Sequence, residues 1–257
     1  GTVNPMRQFP SYDSIRHLPL EEQKKALRSD EFRQQVLADE PKIARDKDTN
    51  NMISSWERMF VLPEDLSYEP GYEDSLAGLA AQRGVSVREA LMDAMAQGRP
   101  ILYLFGDYDY TVQPQFDFIG RKQSVFGLSD GGAHVGVLCD ASVPTYMLAY
   151  GTRDRSKGPQ LPLEFVVHKM TQDTAQVYGF VDRGVIATGY KADINIIDYE
   201  NVRLHDPEMV YDLPSGGKRL VQKADGYTAT ICDGVVTYEN GVHTCLLYTS
   251  PSPRDVL

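Results

Sequence analysis

Two short apolar runs constrain this chain more than anything else in it. Ile101-Leu102-Tyr103-Leu104-Phe105 follows Arg99-Pro100, and Ser124-Val125-Phe126-Gly127-Leu128-Ser129-Asp130 follows a polar connection. The first is too short and too continuous for an amphipathic helix and reads as a strand buried on both faces, which implies a parallel sheet covered by helices. The second reads as another such strand and ends on a carboxylate, followed by Gly131-Gly132-Ala133-His134. In α/β barrels the carboxyl ends of the strands carry the chemistry, because side chains there leave the core and face the mouth. Two glycines after the acid would let the backbone turn sharply and leave room for a ligand. Asp-Gly-Gly is also an ordinary turn, and the residues alone leave both readings open.

The surroundings fit an α/β reading. Residues 18–40 are charged, with Leu20, Ala26, Leu27, Val36 and Leu37 near helical spacing, and predict a surface helix broken near Ser29-Asp30. Residues 46–75 read as loop, with Trp56 and Phe60 spaced for one helical turn. Residues 75–97 predict two helices separated by Gly84; the second opens on Ser86 with Glu89 three residues on, a capping box, and stops at Gly98. Residues 144–150 and 162–179 read as helix, the latter with Leu163, Val166, Val167 and Met170 on one face, an interruption near Thr171 and Gly179 as its stop. Beyond that the class changes. Residues 192–198 alternate like a strand, and residues 228–243 place Asp233-Gly234 and Asn240-Gly241 between β-prone runs, predicting a small antiparallel sheet.

The chain has 257 residues, 42% of them apolar, with 26 Lys and Arg against 36 Asp and Glu and a net charge of −10. Its basic residues are scattered, so nucleic acid is not the expected partner. No apolar run approaches the roughly 18 residues of a membrane span, and the first seven residues lack the basic-then-apolar order of a signal peptide, so no membrane partner is expected either. Cys139, Cys232 and Cys245 are odd in number and lack Cys-x-x-Cys spacing. Neither a disulfide framework nor a thiolate zinc site is suggested, and a reducing, cytoplasmic compartment is expected.

Phe126-Gly127-Leu128-Ser129-Asp130-Gly131-Gly132-Ala133-His134-Val135 resembles the final barrel-strand motif of the amidohydrolase superfamily, in the branch of N-acyl-D-amino-acid deacylases. Downstream, Thr171, Ala175, Gly179, Arg183-Gly184, Ile186, Gly189, Ala192-Asp193 and Asp198 follow the superfamily's order where the chain leaves the barrel for a β-sandwich. The resemblance implies the last strands and helices of a (β/α)8 TIM-type barrel plus the C-terminal part of a small β-sandwich. It divides the chain into a barrel portion at residues 1–180, a sandwich portion at 181–244 and a non-native tail at 245–257, which resembles a translated adaptor peptide. It also implies a metal-dependent hydrolase of a small amide substrate, with one or two divalent ions, zinc by family habit. Asp130 would then be a metal ligand and the group that takes the proton from the attacking water.

Around it, Gly131, Gly132 and His134 are candidate substrate contacts, with a structural histidine as the alternative for His134. Arg153 and Arg155 could grip a substrate carboxylate bidentately, with a solvated loop as the alternative. His168 reads as a surface or packing residue, and Cys139-Asp140 as a buried thiol followed by a helix cap. The family's His-x-His, bridging ligand and later metal-binding histidines are expected before Asp130, where only His17 stands. The chain therefore reads as the C-terminal fragment of a longer enzyme, inactive by itself. A cyclic-amide hydrolase resembling dihydroorotases or hydantoinases, and a non-catalytic binding protein with an acidic surface, are the competing readings.

Overall fold

Proline opens the first two turns of the chain, at Pro5–Gln8 and Pro10–Ser14. A missing N–H costs nothing there, and the turns bury Met6, Phe9 and Tyr12 although no helical or strand periodicity announces them. The computed structural model describes residues 4–44, 47–62, 67–104, 108–127 and 134–245. It divides into two units, Gly1–Val112 and Gln113–Leu257.

In the first unit, helices α1 (Leu20–Leu27) and α2 (Asp30–Ala38) break where the sequence predicts. α3 (Lys47–Ser54) occupies part of the stretch read as loop, and its single buried residue, Ile53, explains why no periodicity betrayed it. Trp56 sits in a one-turn 3₁₀ segment as expected, but Phe60 does not continue it: Phe60 lies in strand β1 (Met59–Val61). β1 pairs antiparallel with β2 (Ile101–Tyr103), Met59 facing Tyr103 and Val61 facing Ile101. The expected parallel, doubly covered strand is thus corrected: a short apolar run upstream provides an antiparallel neighbour, and all three β2 residues are only half-buried. Between the two strands lie α4 (Leu76–Arg83) and α5 (Val87–Gln97). The Ser86 hydroxyl accepts from the Glu89 backbone N–H while the Glu89 carboxylate accepts from the Ser86 N–H at 2.8 Å, the predicted capping box. α5 drives Leu91, Met92, Ala94 and Ala96 into a cluster with Met6, Phe9, Leu27, Val36, Met59 and Leu76.

The second unit opens with α6 (Gln113–Ile119), a helix within the stretch read as polar connection. Residues 124–127 form no strand, which corrects the second predicted run over its described part; residues 128–130 lie outside the described residues. α7 (Val143–Tyr146) runs into a π-helical stretch, Met147–Asp154, and α8 (Leu163–His168) into another, Lys169–Asp173, before α9 (Thr174–Val177). The interruption expected near Thr171 is this second π stretch. Val166 and Lys169, three residues apart on one face, point inward, and Val167 is exposed.

Strands β3 (Ile194–Ile197), β4 (Arg203–Leu204), β5 (Glu208–Leu213), β6 (Gly217–Val221), β7 (Ala224–Asp225), β8 (Tyr227–Cys232), β9 (Val235–Glu239) and β10 (Val242–His243) follow. They form a four-stranded sheet ordered β10-β9-β8-β3 and two-stranded pairs β4-β7 and β5-β6. Asp233-Gly234 and Asn240-Gly241 join β8 to β9 and β9 to β10 with positive φ at both residues of each pair, the type I′ geometry that matches strand twist. The fold is mixed α/β, and every strand pair among the described residues is antiparallel. No helix among them is long and apolar enough to cross a membrane.

Candidate active site

Asp130, Gly131 and Gly132 lie outside the described residues, so the candidate site is built from what holds its two flanks. Upstream, the α6 helix ends at Ile119, and Ser124 closes a turn by donating its N–H to the Arg121 carbonyl and its hydroxyl to the Phe118 carbonyl at 2.7 Å. The clasp on this turn is Lys169. Its side chain is 5% exposed, and its Nζ donates to the carbonyls of Ser124 at 2.7 Å and Arg121 at 3.1 Å while pairing with Asp173 at 3.2 Å. A buried ammonium needs both hydrogen bonds and a counter-charge, and here all are supplied. Ser124 is six residues before Asp130. Downstream, the His134 carbonyl accepts from the N–H groups of Val137 and Leu138, and the Val135 carbonyl accepts from Leu220 of β6 at 2.6 Å. Sequence reasoning missed Lys169. The available signals were its spacing three residues after Val166, on the buried face, and Asp173 four residues on.

The His134 side chain is exposed. Arg153 is half-buried, and all three of its nitrogens donate within the protein. Nε and Nη2 form a fork on the Asp154 carboxylate, Nη2 also reaches the Val202 carbonyl at 2.8 Å, and Nη1 donates to the Tyr199 carbonyl. The hydrogen bonds it donates to the Asp154 carboxylate push its pKa up further, and its guanidinium lies 5.6 Å from the Tyr199 ring centre. Arg155 is 3% exposed, donates to Gln113 and the Pro159 carbonyl, and sits 4.6 Å over Phe116. The solvated-loop alternative for this pair is therefore corrected: Arg153 belongs to a π-helical stretch, Arg155 caps it, and both fasten it to its neighbours. Thr152 does the same through a hydroxyl contact of 2.8 Å to Tyr199, and Thr145 ties α7 to Tyr227 at 2.8 Å. His168 is exposed and faces Asp173 at 3.2 Å. Cys139 is half-buried, and burial, reinforced by Asp140, pushes its thiol pKa up, away from a reactive thiolate. Cys139 itself, not Asp140, occupies the cap position.

The downstream motif has a packing rationale. Gly179 ends α9 with the Gly179 N–H on the Gln176 carbonyl and the Phe180 N–H on the Ala175 carbonyl, a Schellman closure. The chain then returns so closely over the π stretch that a Cβ on Gly184 would lie 2.9 Å from the Gln172 Cα and 3.0 Å from the Thr171 carbonyl oxygen and the Ala175 Cβ. The φ of Gly184, +84°, is in the left-handed region as well. Thr171, Ala175 and Gly184 are thus one contact. Arg183 extends it, with its Nη1 3.3 Å from Asp193 and its guanidinium 5.0 Å from the Phe180 ring centre. Asp193 in turn accepts the Asp233 N–H at 2.8 Å at the β8–β9 turn. Asp198 accepts from the Asn201 side chain at 2.8 Å and donates its N–H to Gly226.

Among the described residues no three His, Cys, Asp or Glu side chains converge to hold a metal ion. The donor set of a catalytic metal is therefore not met by them, and no chemical step is assigned to one. No curated protein and no solved structure gives a significant match to the chain. The sequence profile described as the amidohydrolase family matches residues 77–238, which include the Asp130 segment, the Lys169 clasp and the Thr171–Gly184 contact. With more than half of its length matched, the chain belongs to the amidohydrolase family.

Proposed function

We propose that this chain is the Asp130-bearing portion of a metal-dependent hydrolase that cleaves the C–N amide bond of an N-acyl amino acid, in the manner of N-acyl-D-amino-acid deacylases. The observation that carries the reading is the order of two motifs inside the family match: Ser129-Asp130-Gly131-Gly132-Ala133-His134, then the Thr171, Ala175 and Gly184 contact that the fold makes physically necessary. The proposed architecture is the end of a (β/α)8 barrel joined to part of a β-sandwich, acting in the cytoplasm. Asp130 takes a proton from water as the water oxygen attacks the amide carbonyl carbon. The C–N bond breaks, and the same proton passes to the leaving nitrogen, giving a carboxylic acid and an amine, which exchange the remaining proton at neutral pH to become carboxylate and ammonium. A bound divalent cation such as zinc would make that water more acidic. Asp130 is its one proposed ligand in this chain, with the other donors outside it. Gly131, Gly132 and His134 border the substrate. Arg153, whose nitrogens all donate within the protein, holds helix to strands instead.

The test is an assay of the full-length enzyme on acylated D- and L-amino acids and on cyclic ureides. Turnover of the acyl-D-amino acids is expected, with Asp130→Asn lowering kcat by about 100-fold or more. Preferential turnover of cyclic ureides, full activity in Asp130→Asn, or stoichiometric zinc with turnover from residues 1–244 alone would each overturn it.

A further inference from the structure

The first unit holds a cavity of about 580 Å³, within the range of small-molecule sites, and most of its lining precedes the family match. Its walls are Phe9, Leu37, Trp56 and Val87, and Gln8 and Arg88 add polar atoms. Arg88 is fixed in place. Its Nη1 donates to the carbonyls of Val36, Leu37 and Asp39 at 3.2, 2.9 and 2.7 Å, and its guanidinium lies 4.8 Å over the Phe9 ring. Its Nε and Nη2 donate to no described residue, and no described carboxylate pairs with it. The acids nearby are engaged elsewhere: Asp13 pairs with Lys42 at 2.5 Å, and the Asp39 carboxylate accepts from Ser11. Gln8 is 5% exposed, and its amide nitrogen donates to the carbonyls of Pro5 and Ile53 at 2.8 and 2.9 Å. Its amide oxygen accepts from no described residue.

An immobilised guanidinium with an unused edge is a carboxylate receptor, the Gln8 amide oxygen at the cavity can accept from a ligand donor, and the aromatic wall calls for an apolar body. We propose that this cavity binds a small organic carboxylate that carries an aromatic or bulky apolar group and a neighbouring hydroxyl or N–H donor.

Trp56 is the chain's sole tryptophan and lines the cavity, so its emission reports occupancy without any assay of activity. The probe is phenyllactate, titrated into the full chain, with phenylpropanediol as its uncharged counterpart. A saturable change in Trp56 emission with a Kd on the order of 1 mM is expected, and at least about tenfold weaker binding of the diol. Arg88→Met should weaken phenyllactate by the same factor. Because Arg88 also ties down the end of α2, Ser54→Phe serves as a second variant: Ser54 is exposed and lines the cavity, so the new ring narrows it while the guanidinium stays. Ser54→Phe is expected to keep the wild-type unfolding midpoint and lose phenyllactate binding about tenfold. No saturable change in emission, equal binding of the diol, or wild-type binding in Ser54→Phe would each overturn the proposal.

Discussion

The two units of this chain are held together by different physics. Gly1–Val112 wraps one continuous apolar cluster to which α5 alone contributes Leu91, Met92, Ala94 and Ala96. Gln113–Leu257 buries fewer large apolar side chains and leaves many outside, with Val181 and Ile186 at 85% and 84% exposure. Its elements are tied by directional contacts instead: Lys169 to the Ser124 turn, Arg153 to Tyr199 and Val202, Thr145 to Tyr227. Apolar burial is strong and indifferent to small displacements, whereas a buried hydrogen bond is modest in net energy and exacting in geometry. Directional contacts of the second kind are those found on both flanks of the Asp130 segment, and they suit a scaffold that fixes a proposed catalytic carboxylate. Substitution should expose the contrast. Leu91→Ala, at a fully buried site in the cluster, is expected to lower the unfolding free energy by about 3–4 kcal/mol. Val181→Ala in the other unit should stay within about 0.5 kcal/mol. Comparable losses in denaturant titrations of the two variants would erase the distinction.

The second unit should instead be most sensitive where backbone meets backbone. Gly184→Ala places a methyl group 2.9 Å from the Gln172 Cα at a φ of +84°, and none of its three close neighbours is the far end of a flexible side chain. The left-handed conformation and the overpacking together should cost about 2–3 kcal/mol, although no apolar surface is lost. A loss below about 0.5 kcal/mol would mean that the return over Thr171 and Ala175 is looser than its geometry states.

What the sequence revealed follows the same division between local and long-range physics. The Ser86 and Glu89 box, the Gly98 stop, the Gly179 stop and the two hairpin dipeptides are decided by a few adjacent residues, and all stand where they were read. The partner of Ile101–Tyr103 depends on a segment some forty residues upstream, which a continuous apolar run cannot specify, and the parallel reading failed there. α3 and α6 each bury a single residue, Ile53 and Phe116, too little for a periodic signal. Of the candidate site, the Asp130 motif was legible as a pattern of residue types. The Lys169 clasp was not: a lysine in a helix is ordinarily solvated, and only its carbonyl acceptors, forty-five and forty-eight residues away in sequence, make its burial possible. Arg153 was misjudged for the same reason, since its acceptors at Tyr199 and Val202 come from a distant strand connection.

The weakest of the expected effects concerns charge in the apolar unit, where a partly buried acid should behave as a small exception to its rule. Asp93 on α5 bonds Arg33 at 2.8 Å and Arg83 at 2.5 Å. Burial pushes its pKa up, but the hydrogen bonds from Arg83 and Arg33 more than reverse this, and the carboxyl is held below its ordinary value. A depressed folded-state pKa stabilises the protein above the unfolded value of about 3.9, and the contribution disappears as pH falls through the lower folded value. Stability from this group should therefore be flat from about pH 7 to about pH 5 and decline below about pH 4. Asp93→Asn should remove that part of the acid limb and cost on the order of 1 kcal/mol at neutral pH, with the exposed Arg83 arm contributing least. Glu89 is also held low, by hydrogen bonds from the Ser86 backbone and side chain, and other paired carboxyls such as Asp13 are lowered too, so the substitution flattens the acid limb without abolishing it. Denaturant titrations of both proteins from neutral to acid pH measure the difference. Acid limbs of equal steepness would mean that the two arginines hold Asp93 no more tightly in the folded chain than water does.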